Sequence, residues 1–408
     1  MTEIIPEFEE LDRDAEHITR ARLRLTHVSR KWRTVASSTS QLWTTIALID
    51  PVPNDVNVIE QWFKNSGTRP LDISFEPGLL ADDSTLIKVI RDNISRTRCL
   101  LAYDDIVNKG LLAAIFPPNS VTDAPALEAL RIHSTNLRLD PEGLVNAPSL
   151  IYLHKNDYSV THNFIINSTI SLRSFSGATY SMPFVTKCSN LTELILYVEN
   201  TPLYPPRGIV FPALERLSLI PRRGLGNNCI ERFVRWIKCP SLTTLEVWTQ
   251  MESTDGGVTC GNILDGITQE HGSNLRHLTL GCVSFEGHDL KDPFSNLPHL
   301  RTLSLKCSRL TDNLVQALMP SLGPPSSWPC PELSELEMSN TNIATMSAAH
   351  SLVQLIYGRM LPSFHQTNEH RPGYFGSVVL STCYGDGFRH ERLWDLFHQH
   401  RYTFKIYH

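Results

Sequence analysis

The sequence predicts an α/β protein built from a repeated strand-and-helix unit, and three observations support this prediction. First, a pattern close to Leu-x-x-Leu-x-Leu recurs nine times, beginning at Leu127, Leu150, Leu172, Leu191, Leu214, Leu242, Leu275, Leu300 and Leu333. Second, the clearest copy, at Leu300, is followed by a turn and an amphipathic segment from Leu314 to Leu318, as expected for a helix after a strand. Third, proline precedes several copies, where it ends a helix and begins a strand.

This unit is the strand-plus-helix element of a leucine-rich repeat. The predicted fold is therefore a leucine-rich-repeat solenoid, a horseshoe of the ribonuclease-inhibitor-like type. The leucines of each unit should face a continuous core, and the residues between them should face solvent. A barrel of eight strands and helices also alternates these elements, but the 19 residues from Leu172 to Leu191 are too few for one barrel unit.

Composition narrows the function classes. Of the 408 residues, 41% are hydrophobic and 19% are charged, which is too apolar for a disordered chain. No apolar run is long enough to span a membrane, and the first ten residues are acidic where a secretory signal would be basic. The net charge of −5 does not favour nucleic-acid binding. We therefore expect a cytoplasmic or nuclear protein with no nucleic-acid or membrane partner.

No motif for catalysis or metal binding stands out. The nine cysteines include no Cys-x-x-Cys pair and are expected to be thiols. Cys282 and Cys307 follow two repeat strands, at the position where leucine-rich repeats place Asn or Cys to hydrogen-bond the turning backbone. No Gly-x-Ser-x-Gly elbow or phosphate-binding loop occurs. The expectation is a protein without enzymatic activity, catalytic residues, metal or cofactor.

The N-terminal segment changes charge sign along its length. Acidic residues dominate the first 16 positions, and basic residues follow from Arg20 to Arg33. Within the basic stretch, Leu25, Val28, Trp32 and Val35 have the spacing of one helical face. Serine and threonine then break the helix, and Leu42 and Trp43 begin a short apolar turn.

This segment resembles the second half of an F-box, which shows a basic residue before Trp and a closing Leu-Trp. The resemblance covers about 25 residues and implies that the chain packs against the adaptor Skp1, which links it to a cullin-based ubiquitin ligase. It assigns core or adaptor-facing roles to Leu25, Val28, Trp32, Val35, Leu42 and Trp43. The predicted fold is thus a solenoid preceded by a small, partial helical F-box.

The first half of an F-box is not matched. That half opens with Leu-Pro-x-Glu and an apolar helix, whereas this chain has Ile5-Pro6-Glu7-Phe8 followed by mostly charged residues. Losing several large apolar side chains could remove several kcal/mol of adaptor binding, since burial is worth roughly 25 cal/mol per Å². The alternative hypothesis is a leucine-rich-repeat scaffold that binds protein without a ubiquitin-ligase link, because the F-box is truncated.

Three regions are predicted along the chain. Residues 1–50 form the F-box-like helical segment, residues 51–103 a linker with irregular capping repeats, and residues 104–408 the solenoid with its C-terminal cap. In the second region, the helical spacing of Val56, Ile59 and Trp62 predicts a helix, and Leu71–Phe75 alternates as a strand does. The last region should end in a helix near Leu352 and a strand near Val378.

The predicted function is target recognition for a Skp1-cullin-F-box ubiquitin ligase, by a chain that is monomeric outside the complex. The target, an unknown protein, should contact the solvent-facing residues of the repeat strands. The positions chosen for this surface are Arg131, Glu193, Arg216, Thr244, Arg276, Arg301 and Glu335. Their charges are mixed and indicate neither an acidic nor a basic target.

Overall fold

The structure, a computed structural model, divides the chain into two compact units, Met1–Leu191 and Thr192–His408. It describes residues 19, 21, 23–24, 26–48, 56–75, 84–104, 114–117, 119–134, 143–155, 165–198, 208–222, 228–249, 260–283, 290–320, 328–343, 345–360, 375–384, 395 and 404–407. The predicted limits at residues 50 and 103 both lie inside the first unit, and the predicted three-part division stays a prediction.

The first unit contains parallel strands joined by helices or short strands. Its helices are α1 (Arg30–Ser38), α2 (Val56–Asn65), α3 (Ser84–Asn93) and α4 (Met182–Val185). Its strands are β1 (Thr45–Leu48), β2 (Leu71–Phe75), β3 (Thr97–Asp104), β4 (Val121–Asp123), β5 (Ala129–Ser134), β6 (Leu144–Asn146), β7 (Tyr152–Lys155), β8 (Ile165–Ile166) and β9 (Ser174–Ala178). Strands β1, β2, β3, β5, β7 and β9 pair in that order, and β4, β6 and β8 form a smaller sheet.

The second unit has the same layout with more helix. Its strands are β10 (Glu193–Val198), β11 (Ile209–Val210), β12 (Arg216–Pro221), β13 (Ile237–Lys238), β14 (Thr244–Trp248), β15 (His277–Gly281), β16 (Thr302–Lys306), β17 (Arg309–Leu310), β18 (Glu335–Ser339), β19 (Asn342–Ile343), β20 (Ser377–Ser381) and β21 (Phe404–Tyr407). Its helices are α5 (Asn228–Trp236), α6 (Cys260–His271), α7 (Lys291–Ser295), α8 (Asp312–Ala317) and α9 (Met346–Met360). Strands β10, β12, β14, β15, β16, β18, β20 and β21 pair in parallel in that order.

The apolar residues of the leucine units form the core, as predicted. The first leucine of every unit is at most 1% exposed, and the second fixed position is at most 4% exposed. Along β10, buried and half-buried residues alternate, so one side of the strand faces the core. Burying one such side chain stabilises the fold by roughly 1.5–3 kcal/mol, which commits the strand to this register. In each of the two compact units, we call the side of the large sheet that faces away from the leucine core the open face.

The predicted horseshoe solenoid with a separate helical F-box in front is wrong. The described residues form an α/β protein with parallel sheets and fewer helices than strands. The described part of the crossing from β5 to β7 contains the short strand β6, and that of the crossing from β7 to β9 contains β8. The leucine pattern specifies a strand, whereas the short segment between two strands has no need to be helical. The N-terminal segment also belongs to the first unit, because Trp43 packs into its core.

Cys282 and Cys307 occupy the turns that follow β15 and β16. Both have positive φ angles, 57° and 50°, as has Asn340 after β18, at 51°. Their backbone N–H groups donate to the carbonyls of Lys306 and Ser339 at 2.8 and 2.9 Å. The predicted turn position of the two cysteines is confirmed, although their backbone N–H groups, and not their side chains, make these hydrogen bonds. Burial raises the pKa of the Cys282 thiol to about 11, with the neighbouring Cys307 as a second cause.

One arginine side chain holds the chain reversal between α2 and β2. The helix ends at Asn65, and Gly67 in the turn that follows has φ 63°, a conformation that glycine adopts without strain. Arg96 donates from Nη1 to the Gly67 carbonyl at 2.6 Å and to Ser66 Oγ at 2.9 Å. Its Nη2 donates to the carbonyl of Phe63 at 2.9 Å. The planar guanidinium therefore donates both to a carbonyl of the last helical turn and to the turn that follows.

Replacing Arg96 with lysine should lower the free energy of unfolding by about 1–2 kcal/mol, because one ammonium cannot donate in all these directions. Chemical denaturation followed by circular dichroism would measure the loss. Arg91→Lys is the matched control, since Arg91 is exposed near the end of α3. Equal stability of the two variants would show that the Arg96 hydrogen bonds contribute nothing to the fold.

Candidate interaction surfaces

The N-terminal basic segment is helical but is interrupted at Ser29. Residues 26–28 are helical, Ser29 is extended with φ −161°, and α1 begins at Arg30. Ser29 Oγ accepts a hydrogen bond from the backbone N–H of Trp32 at 3.2 Å and so caps α1. The predicted continuous helical face is therefore wrong, because the serine cap starts a new helix inside the apolar pattern.

Trp43 anchors this segment to the first unit. Its side chain is buried, and its indole N–H donates to the Ala36 carbonyl of α1 at 2.7 Å. The Trp43 ring packs edge-on against Trp62 of α2, with the ring centroids 4.8 Å apart. Ala36 is itself 2% exposed and is the buried residue of α1. These contacts tie the position of α1 to the core.

Three of the other predicted F-box residues are exposed. Val28, Trp32 and Val35 are 63%, 52% and 49% exposed, and we call these three the apolar stripe. Leu42 is half-buried, and Leu25 lies outside the described residues. Large apolar side chains exposed together on one short segment are typical of a surface that binds a partner.

Basic side chains flank the apolar stripe. Arg24, Arg30, Lys31 and Arg33 are exposed, and α1 contains no acidic residue. Arg33 Nε also donates to the carbonyl of Thr26 at 2.9 Å and bridges the break at Ser29. The combination fits a partner surface that is apolar at its centre and acidic around it.

The open face of the second unit presents side chains in rows across its strands. Strand register places in one row Glu193, Arg216, Thr244, His277, Thr302, Glu335 and Ser377. The next row contains Ile195, Ser218, Glu246, Thr279, Ser304, Glu337 and Val379. We call these the first and second rows. Neighbouring members are one strand spacing apart, about 4.8 Å.

The structure places four of the predicted target-binding residues in the first row: Glu193, Arg216, Thr244 and Glu335. Arg276 and Arg301 each precede a strand by one residue, and His277 and Thr302 take the row positions instead. Arg131 lies on β5 in the first unit. In each leucine unit, two residues lie between the first and the second leucine, and only the second of these two residues enters the first row.

A chain of hydrogen bonds crosses three strands of the first row. Thr302 Oγ1 donates to Glu335 Oε2 at 2.9 Å, so it accepts from His277 Nδ1 at 3.0 Å. Nδ1 of His277 therefore carries the proton, and Nε2 is left as an acceptor. Burial lowers the pKa of His277 below its ordinary value, against an opposing effect of Glu335. The imidazole is neutral at pH 7 and offers an acceptor on the open face.

Glu246, in the second row, has both carboxylate oxygens oriented. Ser218 Oγ donates to Oε2 at 3.0 Å, and the indole Nε1 of Trp248 donates to Oε1 at 2.8 Å. The Trp248 ring lies over Gly281 of β15, because a Cβ added to that glycine would collide with three carbons of the indole. The ring thus rests on the sheet beside an oriented carboxylate.

Glu337, three strands away, accepts a serine hydrogen bond as Glu246 does. Its Oε2 accepts from Ser304 Oγ at 3.0 Å, and Ser304 is only 3% exposed. Near the start of the same strands, Glu332 accepts from His299 Nδ1 at 2.7 Å and from Arg301 Nε at 3.3 Å. The hydrogen bond from His299, with Arg301 as a further cause, lowers the pKa of Glu332. The lowered pKa keeps the Glu332 carboxylate ionised at neutral pH.

Sequence reasoning missed Glu246, Trp248 and Gly281. The sequence signal that could have identified them is their position in the leucine unit. Glu246 lies between the last two apolar positions of its unit, and Trp248 and Gly281 each follow the last apolar position of theirs. Those positions supply the second row and its neighbours, but a single unit does not show which side chains meet across strands. Register between units decides that.

The described residues contain no group of three or more metal-ligating side chains that could hold an ion, and no helix there is long and apolar enough to cross a membrane. Neither a protein-family model nor a curated protein matches the chain.

Proposed function

We propose that this chain is an F-box-like substrate-recognition subunit of a Skp1-cullin-F-box ubiquitin ligase. The apolar stripe is the observation that supports the proposal: Val28, Trp32 and Val35 are exposed. Trp43, in the same segment, is buried in the first unit and anchors the segment there. An adaptor bound to the stripe would be linked through the chain to a target bound elsewhere on it. The chain would have no catalytic step of its own and would work in the cytoplasm or nucleus.

The chemistry of the surface supports an adaptor with apolar and acidic residues. A surface tryptophan with surrounding cations is a common centre of protein interfaces, since tryptophan and arginine are enriched among the residues that contribute most binding energy. Arg24, Arg30, Lys31 and Arg33 supply the cations here. The target protein would bind the open face of the second unit, which includes Glu193, Arg216, Thr244 and Glu335.

Co-expression of the full chain with Skp1 and a cullin tests the proposal. A stoichiometric complex on size-exclusion chromatography is the expected result. A folded, monodisperse chain that elutes without the adaptor would overturn it. That result would favour the alternative, a protein-binding scaffold outside the ligase, which the unmatched Leu-Pro-x-Glu segment already favours.

A further inference from the structure

The open face of the second unit has an unbalanced distribution of charge in its second row. Glu246 and Glu337 stand in this row with no basic residue among the members between them, which are Thr279 and Ser304. Both carboxylates are already oriented by serine or tryptophan donors. A carboxylate that accepts no more than one bond per oxygen keeps further lone pairs for a charged donor. The row therefore complements a partner that carries cations.

Trp248 adds an aromatic surface next to Glu246. One face of its indole covers Gly281, and the residue is half-buried, so part of the ring is open to solvent. An arginine side chain can stack on an indole and donate to a carboxylate at once. The same unit already contains such a stack, since the guanidinium carbon of Arg222 lies 5.5 Å from the centroid of the Tyr197 ring.

The spacing of the two carboxylates limits the shape of the partner. Three strand steps separate β14 from β18 in the order β14, β15, β16, β18. At about 4.8 Å for each step, the two positions are about 14 Å apart. In an extended peptide at about 3.3 Å per residue, side chains four residues apart span about 13 Å. We infer that the second row binds an extended segment of a target protein with two arginines four residues apart, one at Trp248 and Glu246 and the other at Glu337.

Lys306 is a cation on β16, the strand next to Gly281. It lies opposite Gly281, the residue that the Trp248 ring covers. Its positive charge opposes an arginine at Trp248, so it reduces the affinity of the site. Replacing Lys306 with glutamine should therefore strengthen binding, a direction that no structural damage would produce.

Two labelled peptides of identical composition test the inference by fluorescence anisotropy with the full chain at about 150 mM salt, where general charge attraction is screened. The first, Gly-Arg-Ser-Gly-Ser-Arg-Gly, has its arginines four residues apart, and the second, Gly-Arg-Arg-Ser-Gly-Ser-Gly, has them adjacent. We expect the first to bind about tenfold more tightly. Equal affinities would overturn the inference, because they would indicate attraction to charge alone.

Variants identify the site. Glu246→Gln with Glu337→Gln should abolish the preference between the peptides, and Gly281→Ala should reduce it by displacing the indole without changing charge. Glu60→Gln with Asp92→Asn removes the same charge from exposed positions in the first unit and should leave the preference intact. The assignment is contradicted if the control double variant loses the preference between the peptides. It is also contradicted if the variant with Glu246→Gln and Glu337→Gln keeps that preference.

The inference extends the proposed function by naming the class of target. The two can fail separately, because adaptor co-purification depends on the apolar stripe and peptide binding depends on the second row. A chain that binds Skp1 but does not distinguish the peptides keeps the proposed function and loses this inference. A chain that distinguishes the peptides without binding Skp1 does the reverse.

Discussion

Replacing Trp32 with alanine should weaken association with the Skp1 adaptor by at least about 30-fold, or 2 kcal/mol, while leaving the fold intact. The side chain is 52% exposed, so its removal leaves no cavity in the first unit. Its loss would remove the largest apolar group from the stripe and from the centre of the proposed interface. Isothermal titration with purified adaptor and thermal unfolding of the same samples would measure both quantities.

Trp43→Ala is the contrasting variant and should show the opposite pattern. Trp43 is 4% exposed, donates to the Ala36 carbonyl and packs against Trp62. Its removal should cost about 3–5 kcal/mol of unfolding free energy, as expected for a large buried side chain. If Trp32→Ala destabilises the fold as strongly as Trp43→Ala, or leaves adaptor affinity unchanged, the stripe is not the adaptor surface.

Replacing Arg359 with methionine should lower the free energy of unfolding by about 3 kcal/mol. Arg359 is 3% exposed and donates to the carbonyls of Pro329, Leu333 and Cys330 at 2.7, 3.2 and 3.3 Å. Methionine keeps much of the volume but leaves these buried acceptors without that donor. Guanidinium chloride unfolding monitored by tryptophan fluorescence would measure the loss.

Aromatic rings also hold the Arg359 side chain. Its guanidinium carbon lies 4.8 Å from the centroid of the Trp328 ring and 5.4 Å from that of Phe375. Burial lowers the pKa of Arg359 to about 10, so the group is still cationic at neutral pH. Relief of this burial cost offsets part of the loss in Arg359→Met, but the loss of three hydrogen bonds to buried carbonyls outweighs it.

Arg276→Met is the control for this experiment. Arg276 is exposed in the same unit, and its replacement should change stability by no more than about 0.5 kcal/mol. Arg359→Met as stable as this control would show that the buried guanidinium does not stabilise the second unit.

Local elements were predictable where turn residues and apolar period agreed. The strand expected at Leu71–Phe75 is β2, and the helix expected from Val56 is α2. Short-range steric and burial preferences decide such elements. The crossings between strands were less predictable, because a crossing of few residues can be a helix, a short strand or a turn without disturbing the leucine core.

Rows on the open face could be predicted only to within one residue. Arg276 and Arg301 were chosen for the target surface, but His277 and Thr302 occupy the row. Two residues lie between the first and the second leucine of each leucine unit. The local sequence does not show at which of these two residues the strand begins. Pairing with the neighbouring strand sets that start and so selects the side chain that enters the row.

The sequence by itself determined the repeated strands, their buried leucines and the turn positions of Cys282 and Cys307, because each depends on residues close together in the chain. Only the tertiary structure decided which tryptophan of the N-terminal segment is buried and which is exposed. Helical spacing marks an apolar face but does not show what packs against it. Contact with Trp62 took Trp43 into the core and left Trp32 on the surface.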